Sequence, residues 1–145
     1  MTSPSSSSEG SSKLDLALLV FRLAGTMVFL YHGSAILFGA FGGPGIQGFA
    51  GFLHVSPVIG FLVGLAQFAG GLAFLTGVLI RLGALCIMIV MAGAIFLVHL
   101  PHGFNIAQGG MEYALTQFLF ALGILLAGPG SYSLAGILPP ALRKL

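Results

Sequence analysis

Charge is nearly absent from this sequence: five Lys and Arg and three Asp and Glu serve 145 residues, 6% of the total. Tryptophan is missing, and cysteine occurs once, at Cys86. So few charged side chains cannot coat a water-soluble globule of this length, which excludes an ordinary soluble domain. A nucleic-acid surface is excluded as well, because the cations are scattered and the pI near 9.0 reflects only the shortage of acids. One cysteine cannot form an intrachain disulfide or a CxxC dithiol. With no charged residue beside it in sequence, Cys86 reads as small apolar packing.

What is present is hydrocarbon: 57% of residues are hydrophobic and the mean hydropathy is +1.09. The expectation is an all-α membrane protein. Each crossing takes roughly 20 apolar residues, so one domain of four spans fills the chain and leaves no room for a separate soluble domain. Residues 1–13 form a serine-rich stretch too polar to offset the entropy of ordering, and a disordered tail is expected there. A signal peptide is not expected, because the apolar run that follows carries Arg22, lacks a small-residue cleavage site and precedes similar runs.

Residues 14–138 hold the four-helix transmembrane domain. The spans run from Leu14 or Leu16 to Phe38, Pro57 to Leu79, Leu82 to Leu100 and Met111 to Ala127. Pro57 suits a first helical turn, Pro101 stops the third span, and Gly128 to Gly130 end the fourth. The stretch from Ser131 reads as a short interfacial segment, and residues 139–145 as a short basic tail. Lys13, Arg81, Arg143 and Lys144 fall on one side of this arrangement, and the other two links carry no Lys or Arg. The positive-inside rule therefore puts both termini in the cytoplasm and the links Gly39–Ser56 and Pro101–Gly110 outside.

That orientation gathers His32, His54, His99, His102 and Glu112 toward the outer membrane face. For His32, His99, His102 and Glu112 two roles fit. They could satisfy helix ends by hydrogen bonding, or they could form a polar site for a quinone headgroup, a metal, another small ligand or a proton relay. His32, His99 and Glu112 are the candidate catalytic residues; His54 reads as a solvated loop residue. No metal site is expected, since HLPH places Pro101 between its two histidines and no HExxH or further histidine set completes a sphere. Gly60, Gly64, Gln67 and Gly71 make a nearly bare stripe on span two. Close helix packing is the plain reading of the glycines, while Gln67 near mid-membrane must face a helix or an internal cavity. Arg22 lies two turns into span one, able to snorkel or to be buried with a partner, Asp15 being the nearest acid on its helix. Arg22 and Gln67 are candidates for cofactor binding. Met88 and Met91 read as core filler.

The ordered set YHG, FGGPGIQGFAGF, AQFAGGLAFLTGVLIRLGAL, HLPHGFNIAQGGMEY and GPGSYSL resembles the DoxX family of small four-helix membrane proteins, from Phe21 to Leu138. The resemblance implies a multi-pass protein of the inner (cytoplasmic) membrane, with some members assigned to quinone-reducing subunits or oxidoreductase complexes. It makes Arg22, His32, Gly33, Gly42, Gly43, Gly71, His99, Gly103, Glu112 and Gly128 look like family positions. Three charges common among relatives are missing, with Ile36, Gln67 and Ala135 in their places. The function expected is therefore a subunit of, or anchor for, a quinone-linked membrane oxidoreductase, with quinone as the cofactor and a membrane or soluble redox subunit as partner. The alternative is a non-enzymatic scaffold or small-molecule binding or export module. Homo-oligomerisation stays open, as does catalytic activity, since no flavin, nicotinamide or haem-attachment motif is present.

Overall fold

The computed structural model describes residues 5–143 and Leu145. Five α-helices follow one another: α1 (Ser5–Phe38), α2 (Gly45–Leu53), α3 (Pro57–Thr76), α4 (Ile80–Ala94) and α5 (Glu112–Ala127). A π-helical turn, Ile95–His99, and a 3-10 turn, Leu100–His102, prolong α4. The described residues contain no strand.

Local signals set the helix ends. Ser56 caps α3 by accepting from the Ile59 N–H at 3.4 Å, and Pro57 occupies the first turn, where a missing N–H costs nothing. Gly77 closes α3 at φ 76°, its N–H returning to the Ala73 carbonyl. Three stretches are long and apolar enough to cross a bilayer: Gly10–Phe38, Pro57–Thr76 and Ile80–His102. Helix α5 is shorter, at 16 residues. It rises about 24 Å, against roughly 30 Å of hydrocarbon in a typical bilayer.

Packing follows chain order. Helix α1 lies against α3, α3 against α4 and α4 against α5, with α2 resting on α1 and α3. The α1–α3 crossing depends on missing side chains: a Cβ on Gly33 would stand 2.5 Å from the Phe68 nitrogen, inside any allowed contact. Between α3 and α4 a Cβ on Gly83 would lie 2.7 Å from that of Ala73. Phe29, Phe74, Ile80, Ala84, Ile87, Met91, Ala121 and Ile124 form the core. Phe74 is its centre, edge-on to Phe29 at 5.9 Å and to Phe120 at 6.0 Å. Only 22%, 39% and 28% of the three most apolar windows are buried, so most of each span turns its Leu, Ile and Phe side chains outward. Water would penalise such a surface and lipid would not.

Three local differences from the sequence reading stand out. The Gly39–Ser56 link is no loose connection, since it holds α2, whose Ala50 is buried against Gly60. Its run of Ile, Phe, Ala and Leu covers the end of the bundle, a contact that span-length hydropathy does not register. Helix α1 already begins at Ser5, inside the expected disordered tail, because extending an existing helix avoids the cost of nucleating one. Residues 10–13 are nonetheless exposed, and residues 1–4 of that tail lie outside the described residues. The stretch after Gly130 is docked: Leu134 N–H donates to the Thr76 carbonyl at 2.8 Å, Leu82 N–H to the Leu145 carbonyl oxygen at 2.8 Å, and Ala135 is buried.

Candidate functional site

Polar side chains gather at three levels of the bundle. At the end that carries Arg81 and Arg143, Arg22 is buried to 1% exposure on α1. Its Nε–H donates to the Phe74 carbonyl at 2.8 Å and its Nη2 to Leu75 at 3.0 Å; both carbonyls belong to the last turn of α3, where no helical N–H remains to take them. Its Nη1 donates to Pro129 at 2.8 Å and to Tyr132 at 2.6 Å. The guanidinium thus sits at the negative end of the α3 dipole and fastens the segment after α5 to it. Beside it, Thr26 Oγ1 donates to the Arg22 carbonyl at 2.8 Å, and Asp15 accepts both the Ser131 N–H at 3.0 Å and the Ser131 hydroxyl at 2.6 Å. Asp15 therefore serves Ser131, and four of the five guanidinium N–H groups are committed to carbonyls.

Midway along α3, Gln67 is 6% exposed, and among the described residues its side-chain amide makes no hydrogen bond. It shares one helical face with Gly60, Gly64 and Gly71, each buried. Its amide atoms keep some accessible surface, so a molecule from outside the polypeptide can reach and satisfy them.

At the opposite end the structure links two of the three candidate catalytic residues through one loop. His99 Nδ1 lies 2.7 Å from the Gly109 carbonyl. A carbonyl can only accept, so Nδ1 carries the hydrogen. Glu112 Oε2 accepts from the Ile106 N–H at 3.1 Å, and the Glu112 N–H donates to Phe104 at 2.9 Å. The loop closes with Gly110 N–H to Asn105 and Met111 N–H to Gly103, both at 2.9 Å. His32 is not part of it. It is exposed on α1 against Tyr31 at 5.4 Å, and Tyr31 stacks on Phe41 at 4.9 Å; no hydrogen bond or ring contact joins His32 to His99 or Glu112 among the described residues. His54 caps α2 in a left-handed conformation at φ 54° and is exposed. The described residues hold no group of three or more His, Cys, Asp or Glu placed to share a metal ion.

Two apolar recesses lie on the surface. One, of about 510 Å³, runs between α3 and α4 and is lined by Leu65, Ala69, Ala73, Leu82, Gly83 and Cys86 among others. The second, about 270 Å³, separates α1 from α5 beside Phe21 and Phe120. Cys86 is half-buried in the first, consistent with packing. Asp15 and Ser131 carry a contact that sequence reasoning missed. Their only signal was an acid on the helix of Arg22, which says nothing of a partner 116 residues away.

An all-helical chain with glycine-mediated crossings, a small aromatic core and an outward apolar belt is a multi-pass membrane protein. Within that class it belongs to the DoxX family, whose family model matches residues 17–100, more than half of the chain. No curated protein and no solved structure matches it.

Proposed function

We propose that this DoxX-family chain is the membrane anchor of a quinone-linked oxidoreductase complex in the cytoplasmic membrane, with four spans and both termini inside. The observation that carries the reading is Gln67, a residue only 6% exposed whose amide has no hydrogen-bonding partner among the described residues and keeps some accessible surface. Its NH₂ can donate to a quinone carbonyl and its oxygen can accept from a quinol hydroxyl, so one side chain serves both redox forms of the headgroup. Apolar recesses elsewhere on the bundle, neither of them lined by Gln67, offer surface to an isoprenoid tail. His32, exposed on α1, is the remaining candidate for contact with a headgroup entering from the bilayer. Electron transfer itself falls to a partner subunit.

A test is purification in mild detergent with native partners, followed by quantification of bound quinone. Quinone should be retained by the wild-type chain and lost from Gln67→Leu, with thermal stability kept. A folded preparation with neither quinone nor redox partner overturns the reading. The scaffold reading then takes its place, and one observation favours it: Arg22, His99 and Glu112 each direct at least one side-chain polar atom to a backbone group of the chain itself.

A further inference from the structure

At the end of the prolonged α4, two imidazoles each set Nδ1 against a backbone carbonyl. His99 Nδ1–H donates to the Gly109 carbonyl at 2.7 Å, and His102 Nδ1–H donates to the Val98 carbonyl at 3.0 Å. Because both partners are carbonyls, both rings carry their hydrogen on Nδ1, and in the neutral ring the lone pair is on Nε2. Neither Nε2 has a hydrogen-bond partner among the described residues. The rings also meet the same residue: Gly109 supplies the carbonyl for His99, and a Cβ on Gly109 would stand 3.8 Å from His102 Cγ. His102 is exposed and His99 half-buried, so the pair is open to solutes.

Tying one ring nitrogen to a backbone carbonyl is the way proteins fix the tautomer and aim of a metal-binding histidine. Satisfying a helix end requires only an N–H, which Lys or Arg would supply without leaving a lone pair. Here the same tautomer is set twice, three residues apart, where a π turn breaks the regular helix. We propose that His99 and His102 form a binding site for a divalent transition-metal cation of the zinc or copper kind. Their two Nε2 atoms are its protein ligands, and water fills the remaining positions. Imidazole favours these ions over magnesium or calcium, and two ligands leave coordination positions open. The site is independent of the quinone reading, which rests on Gln67.

The experiment uses the full, untagged chain in detergent, stripped of metal and titrated with Zn²⁺ by calorimetry and with Cu²⁺ by electron paramagnetic resonance. One equivalent should bind, with a Cu²⁺ spectrum showing two nitrogen ligands. Asn at either position keeps an N–H near the place of Nδ1 and removes Nε2, so His99→Asn and His102→Asn test coordination while sparing the loop contact. Each should weaken Zn²⁺ binding by roughly tenfold or more, since losing even an outer partner of a ligand costs that much. His32→Asn and His54→Asn should leave it unchanged. Failure to bind, or binding that survives either of the first two substitutions undiminished, overturns the site. Circular dichroism of each variant confirms that the comparison is made between folded chains.

Discussion

Arg22 and Tyr132, 110 positions apart, are joined by a 2.6 Å hydrogen bond from the guanidinium to a backbone carbonyl. Three further carbonyls share that guanidinium, so a buried cation is held by backbone carbonyls, with no carboxylate bonded to it among the described residues. Arg22→Met should leave four carbonyls without their donor and loosen the segment after α5. A loss of about 2–4 kcal/mol is expected, read as a lower thermal midpoint and earlier proteolysis near Ser131. Arg22→Lys should recover only part of this, because one ammonium cannot span the fork of donors.

Helix packing predicts opposite outcomes for two glycines, one in the α1–α3 contact and one on an open face of α4. Gly33→Ala places a methyl 2.5 Å from the Phe68 backbone nitrogen, and neither helix can yield without disturbing its neighbours. It should destabilise by about 1–3 kcal/mol. At Gly93 of α4 an added Cβ meets nothing within 4 Å, and Gly93→Ala should be neutral or stabilise by up to about 1 kcal/mol. Thermal unfolding of both variants in the same detergent decides the comparison.

The loop Gly103–Met111 depends on Glu112. Glu112→Gln retains an oxygen for the Ile106 N–H, whereas Glu112→Ala removes it. Hydrogen exchange at Ile106 should accelerate in the Ala variant and stay near wild type in the Gln variant. The global stability change should be about 1 kcal/mol or less, since the site is partly open to water.

His54 occupies a left-handed position at φ 54°, where an L side chain is strained. His54→Gly should relieve that strain and raise stability by up to about 1 kcal/mol. A fall in the thermal midpoint would show that the imidazole itself contributes to closing α2.

Much of the architecture is legible in the sequence. Pro57, Pro101 and Gly128 to Gly130 mark helix ends because ring closure and left-handed backbone are properties of the residue itself. The glycines of α3 announce close packing for the same reason: a missing side chain is missing in any context. Helix α2 was less legible, since nine residues are too few to stand out by hydropathy and are held by contact with α1 and α3. Gln67 was legible as a buried amide, because any polar group in the middle of an apolar span must turn inward.

The sites divide along the same line. Composition alone determined that this chain lives in lipid, and the apolar runs determined where its long helices lie, because transfer from water depends on side-chain identity summed over a segment. Only the tertiary structure decided that Arg22 serves Phe74, Leu75, Pro129 and Tyr132, that Asp15 serves Ser131, and that His99 meets Gly109 while His32 stands apart. Most of those partners are backbone groups. Every residue carries a carbonyl and nearly every one an N–H, so nothing in the order of side chains tells which will be left unpaired until the helices have packed and their ends have met.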